Sequence, residues 1–217
     1  MKKQHLSIRG FTLIELLIVI AIILVLAGVL APVGRGLITR SQAVNCSKNL
    51  RQIGIASMMY AGENNMTLPQ STHQGIAKSW RKSLQPYASG TITFKCQDDP
   101  YEKRTFTYVL NDFLTQKPSG APPDLNYSIL AKIDSPAETL MFAEASTSYL
   151  NTDHFHFAEY YGQKMPSFAF ESQVGVKFHG DKSNYLFADG HVETLSWREV
   201  QALLRKDGGR FLNPSGK

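Results

Sequence analysis

From Phe11 to Ala31 the chain is apolar apart from one ionisable side chain, Glu15. Coiled as a helix rising about 1.5 Å per residue, that run reaches roughly 30 Å, the thickness of a bilayer's hydrocarbon core. A carboxylate held in hydrocarbon is unfavourable by a few kcal/mol unless something neutralises it, so Glu15 reads as a functional residue. A secretory signal peptide has an apolar region of about 7–15 residues with its cleavage site after that region. The present run is longer, and the small residue beside it, Gly10, stands before it. A plain signal anchor fits the length but gives Glu15 no role.

The stretch Gly10-Phe11-Thr12-Leu13-Ile14-Glu15, behind a basic leader of residues 1–10, resembles the class III signal of type IV prepilins and type II secretion pseudopilins. The resemblance implies cleavage between Gly10 and Phe11 by a prepilin peptidase and N-methylation of the new Phe11 amine. It also implies assembly into a filament, where Glu15 pairs with the Phe11 amine of a neighbouring subunit. Physically, a cationic amine at the head of an apolar helix and a carboxylate one turn away can compensate each other in low dielectric. Pairing within one chain is the simpler alternative, because positions i and i+4 share a helix face. The expected location is the inner membrane, crossed once, with the amino terminus cytoplasmic and the carboxy-terminal domain extracytoplasmic. Arg35, Arg40, Lys48 and Arg51 beyond the run are as basic as the leader, so this orientation rests on the resemblance and not on charge asymmetry.

With 217 residues and 43% apolar content, the chain has room for one anchor helix and one modest domain. Removing Lys2, Lys3 and Arg9 with the leader takes three charges from the formal +5 and leaves +2. Beyond Lys78, Trp80, Arg81 and Lys82 there is no basic stripe with interleaved aromatics, so no nucleic-acid partner is expected.

Pro32 lacks the N–H that would bond to the Gly28 carbonyl, which predicts a kinked or broken helix there. Pilin-like proteins carry a proline near this depth, and the resemblance gives Pro32 a part in assembly. Helical periodicity then resumes, with Ala43, Cys46, Leu50, Ile53, Ser57 and Tyr60 on one face and Arg40, Ser47, Lys48 and Arg51 elsewhere, closing at Ala61-Gly62. The expected division is leader 1–10, transmembrane helix 11–31, amphipathic continuation 32–62 and globular domain 63–217.

Within that domain Trp80, Leu84 and Tyr87 form a helical core face stopped near Pro86, and residues 94–100 read as a strand end and turn. Phe106–Leu110 and Thr139–Ala143 read as strands, residues 116–124 as a proline-rich loop. The aromatic stretch Tyr149–Phe170 reads either as an insertion covering a sheet edge or as an exposed contact surface. His154 and His156, two apart, fit a strand face. Cys46 and Cys96 are the two cysteines. In an exported domain they are expected to form a disulfide between helix and sheet, with two buried thiols as the alternative. C-x-x-C metal spacing is absent.

Near the carboxy end, Asn184–Ala188, Asp189-Gly190 and His191–Leu195 read as strand, tight turn and return strand. His179, nine residues before Asp189-Gly190, resembles the His-x9-Asp-Gly domain (176–195 here) of one branch of prepilin-like proteins. Cys46-Ser-Lys-Asn-Leu-Arg-Gln-Ile-Gly, Phe94-Lys-Cys96 and Ser135-Pro-Ala-Glu-Thr-Leu extend that resemblance. Gln97-Asp98 departs from it, since that branch commonly has proline after the cysteine. His179, Asp189 and His191, joined by Asp181, are the weak metal-ligand candidates. A His–Asp hydrogen bond fixing the hairpin is the alternative. No Gly-x-Ser-x-Gly or His-Glu-x-x-His occurs, so no catalytic residue and no cofactor is expected. Ser196-Trp-Arg-Glu199 is a capping box opening a short helix to Arg205, with Trp197, Val200, Leu203 and Leu204 on its apolar side.

The reading is an α+β, pilin-like subunit: a long anchored amino-terminal helix packed on an antiparallel sheet, mechanical and not enzymatic. A tethered extracytoplasmic binding domain using residues 149–170 is the alternative, and a hydrolase built on His179, Asp189 and His191 a more distant one.

Overall fold

A computed structural model describes residues 11–72, 79–88, 92–116, 126–150, 152–157, 160 and 163–216, with the side chains of 30–37 left aside. Gly10, the rest of the leader, Lys78 and the prolines of the 116–124 loop lie outside it. The chain divides into two units, Met1–Arg40 and Ser41–Lys217, and each is taken separately.

Helix α1 runs from Leu13 to Glu63, so the helix is not broken at Pro32. A proline removes one i to i−4 bond, and the bonds on either side can carry the helix past it. In the first unit, the apolar side chains described from Leu13 to Val29 are exposed on every side of the helix. In the second unit α1 has a buried face. Cys46, Leu50, Ile53 and Ser57 are inaccessible to solvent, while Lys48 and Arg51 are exposed. This is the stripe expected from apolar residues at alternating spacings of three and four.

Five strands form one sheet: β1 (Tyr108–Asn111), β2 (Leu140–Glu144), β3 (His154–Phe155), β4 (Lys182–Phe187) and β5 (Val192–Ser196), in the order β3-β1-β2-β4-β5. All pairings are antiparallel except β1 with β3, which is parallel. The expectation of a purely antiparallel sheet is corrected at that edge. Two-residue β3 comes from the aromatic stretch, which returns to the sheet edge after a crossover and so enters in the other direction.

Both faces of the sheet are buried. Tyr108, Leu110, Phe142 and Leu186 join Leu50 and Ile53 of α1 and Trp80 of α2 (Trp80–Leu84) in one core. Gly54 marks the tightest approach: a Cβ there would lie 2.9 Å from Leu186 Cδ1. Val109, Ala143, Tyr185 and Phe187, pointing the other way by strand alternation, form a second core with Phe155, Phe157, Phe170, Val200, Leu204 and Phe211. Helices α3 (Ser167–Gln173) and α4 (Trp197–Arg205) cover this side. Thus the stretch 149–170 covers a sheet edge and fills a core. Phe155, Phe157 and Phe170 are buried, and Phe168 alone of its described phenylalanines is exposed.

The segment 94–107 is held without strand structure. Asp99 accepts from Thr107 Oγ1 at 2.6 Å and pairs with Arg104 at 3.3 Å, and Arg104 also donates to the Ser146 carbonyl at 2.8 Å. These bonds place Cys96 beside α1. Trp80 is buried with its Nε1 donating to the Asp153 carbonyl, and Arg81 lies 3.8 Å over the Phe106 ring.

Candidate functional site

At the amino end, Phe11 is 82% exposed and Thr12 stands at the N-cap of α1. Glu15 Oε2 accepts from the Thr12 N–H at 2.8 Å and from Thr12 Oγ1 at 2.7 Å, and the Glu15 N–H reaches back to Thr12 Oγ1 at 3.4 Å. This is a reciprocal capping box on Thr-x-x-Glu. It satisfies backbone donors that the first helical turn leaves unpaired. Glu15 therefore turns to Thr12 here. Among the described residues no helix is long and apolar enough to cross a membrane; the apolar side chains described stop at Val29, two residues short of the sequence run.

The second constellation lies inside the Ser41–Lys217 unit. Cys46 and Cys96 form a disulfide across 50 residues, with their Cα atoms 5.2 Å apart. Tyr108 Oη donates to the Cys46 carbonyl at 3.1 Å, fixing the same turn of α1 to β1. Beside the disulfide lies His179, in the turn before β4, with Nε2 3.8 Å from Cys96 Sγ. Its Nε2 is 2.7 Å from Glu144 Oε1 and its Nδ1 is 2.8 Å from Asp98 Oδ2. Glu144, wholly buried at the end of β2, also accepts from the Asn184 N–H at 3.0 Å and from Asn184 Nδ2 at 3.2 Å. Asn184 Nδ2 donates as well to the Ala43 carbonyl of α1, at 3.0 Å, and Asn184 Oδ1 accepts from Thr194 Oγ1 at 2.7 Å.

Burial pulls the His179 pKa down. The hydrogen bond and charge of Glu144, then those of Asp98, more than reverse this and hold the imidazole above its ordinary value. A protonated imidazole donates from both nitrogens to the two carboxylates. It thereby compensates a carboxylate that would be costly if buried alone.

The structure does not bring His179, Asp189 and His191 together. Gly190 takes φ +92° in the β4–β5 turn, a left-handed conformation that glycine adopts freely. Asp189 Oδ1 accepts from the His191 N–H at 3.1 Å and faces His191 Nδ1. The His191 ring stacks on Phe187 with centroids 4.4 Å apart. Asp181 is exposed. The His–Asp bond that steadies this hairpin is therefore Asp189 with His191, its nearest neighbour across the turn. His179 instead faces inward from beyond the strand. His154 sits on β3 with its Nδ1 3.0 Å from Asp153 Oδ1, and its ring lies 5.5 Å from that of His156, as side chains on one strand face do.

Glu144 was not singled out as a site residue by sequence reading, and Asp98 only as a departure from a pattern. The available signal was a lone acid directly after the apolar run Leu140–Ala143. An acid at the buried end of such a strand calls for a partner.

A family model described as the prokaryotic N-terminal methylation motif matches residues 6–31. The matched stretch supports a prepilin- or pseudopilin-like protein and implies processing by a prepilin peptidase. The long helix and five-stranded sheet are consistent with a pilin-like fold. No curated protein and no solved structure matches the chain.

Proposed function

We propose that this chain is a prepilin-type subunit, a pseudopilin or minor pilin. A prepilin peptidase cleaves it between Gly10 and Phe11 and methylates the Phe11 amine. The mature chain is held in the inner membrane by the helix from Phe11 to Ala31, with the rest of the protein extracytoplasmic. It joins other subunits in a type II secretion or type IV pilus-like filament and acts mechanically, not as an enzyme. The observation that carries this reading is the methylation motif over residues 6–31, set on a helix whose described apolar side chains are exposed all round. Such a helix needs lipid or other helices about it. Both Thr12 bonds of Glu15 fall on Oε2, a geometry compatible with Oε1 meeting a neighbour's Phe11 amine.

Mass spectrometry of the mature amino terminus is the test. N-methyl-Phe11 is the expected start, whereas an intact Met1 or a start near Ala31 overturns the reading. Glu15→Ala is expected to insert in the membrane but to fail in assembly, and normal filaments from it would refute the intermolecular pair.

A further inference from the structure

Cys46, Cys96, Glu144 and His179 each place one ligand atom so that all four lie within 4.8 Å of one another, and all four residues are buried. They come from four separate segments: α1, the loop before β1, the end of β2 and the turn before β4. Two thiolates, an imidazole and a carboxylate make a donor set suited to Zn2+, which binds four such ligands tetrahedrally. With bonds of about 2.0 Å to nitrogen or oxygen and about 2.3 Å to sulfur, the edges of that tetrahedron measure about 3.3–3.8 Å. Cys96 Sγ and His179 Nε2 already stand 3.8 Å apart. Nε2 and Glu144 Oε1, at 2.7 Å, need to separate by only about half an ångström to receive an ion in place of a proton.

The surroundings are those of a metal ligand set. A zinc-bound histidine characteristically donates its other ring N–H to a carboxylate, which fixes the ring and its tautomer. His179 Nδ1 is so placed against Asp98 at 2.8 Å. Glu144 is oriented by the N–H and side-chain amide of Asn184, whose donors also offset negative charge on the ligands. The Asp98 side chain is 16% exposed, so the cluster lies one side chain beneath the surface.

We propose that, while Cys46 and Cys96 are thiols, these two residues with His179 and Glu144 bind one Zn2+, and that this metal form and the disulfide form exclude each other. The chain is made with thiols, and three protons leave as the metal binds, one from each thiol and one from His179 Nε2. The metal then ties α1 to the 94–107 segment before the disulfide does. Conversion is balanced by an oxidant of the disulfide class. It takes two electrons from the two thiolates and two protons from solvent and becomes a dithiol. The Cys46–Cys96 bond forms, Zn2+ departs with its charge unchanged, and His179 Nε2 takes back a proton from solvent to face Glu144. The inference stands apart from the prepilin reading, because it uses only residues of the Ser41–Lys217 unit.

The full chain in detergent, reduced with a phosphine, is titrated with Co2+ and then Zn2+. Expected is one equivalent per chain, with the visible spectrum of a tetrahedral thiolate–cobalt site that Zn2+ abolishes, and no binding by the oxidised chain. Asp98→Asn should weaken affinity by about 10- to 100-fold, and His179→Ala by at least as much. On the wild type, bound Zn2+ should protect both thiols from alkylation, and a chelator should remove the protection. The proposal is overturned if the reduced wild type takes up no metal. It is equally overturned if the oxidised chain binds as well, if His179→Ala binds with unchanged affinity, or if Zn2+ leaves the thiols unprotected.

Discussion

Glu15 and Glu144 are both carboxylates in apolar stretches of sequence, and the molecule treats them in opposite ways. Glu144 is wholly buried and met by His179 and Asn184, each brought from a distant part of the chain. Glu15 stands on an exposed helix and, among the described residues, is met by Thr12, three residues away. An acid compensated inside the fold stabilises that fold. An acid compensated only by its own helix cap leaves a charge that another molecule can engage once its setting is desolvated. The first kind of acid maintains a structure, and the second is suited to assembly.

The largest expected effect falls on the buried acid. Glu144→Ala removes the partner of His179 and of two Asn184 donors and should destabilise the oxidised chain by about 3–5 kcal/mol in denaturant unfolding. A loss under about 1 kcal/mol would mean that the network is not what compensates the His179 charge. Next comes the disulfide beside it. Cys46→Ser with Cys96→Ser opens a loop of 50 residues and should cost about 4 kcal/mol on the chain-entropy account, read from the shift in the urea midpoint with a chelator present.

A third acid sharpens the contrast at the sheet edge. Burial raises the Asp153 pKa, but the His154 hydrogen bond and those from the Thr72 N–H and hydroxyl outweigh it, leaving the carboxyl below its ordinary 3.8. A depressed carboxylate adds stability that is present above its unfolded pKa and disappears as pH falls through the folded one. The stability difference between wild type and Asp153→Asn should therefore narrow as pH drops below 3.8. A gap that stays constant through acid titration would exclude that linkage.

The two capping boxes supply the smaller effects. Ser196→Ala, which removes the cap of α4, should lower the stability of the Ser41–Lys217 unit by about 1 kcal/mol in thermal unfolding. Thr12→Ala and Glu15→Ala should leave the unfolding midpoint of that unit unchanged. A clear shift from either would show that the amino-terminal cap supports the globular unit, and the comparison above would fail.

Local signals were legible in the chain. The buried stripe of α1 through Cys46, Leu50, Ile53 and Ser57 follows from spacing alone, and the Asp189-Gly190 turn between β4 and β5 from its turn residues. The Ser196–Glu199 box is legible from its four residues and forms, and Thr12–Glu15 carries the same pattern inside the apolar run. The Cys46–Cys96 pairing was expected from compartment and formed. Illegible were the parallel β1–β3 edge and the inward turn of the aromatic stretch, since burying phenylalanines and displaying them have the same composition.

The amino-acid sequence by itself determined the apolar helix with its single acid, the methylation motif over residues 6–31 and the elements whose signals lie within a few residues of one another. Only tertiary structure decided that His179 meets Glu144, 35 residues away, and Asp98, 81 residues away, in place of Asp189. Periodicity and turn chemistry act between near neighbours. Which distant polar groups converge depends on strand order and register, and those emerge when the two cores close on the sheet.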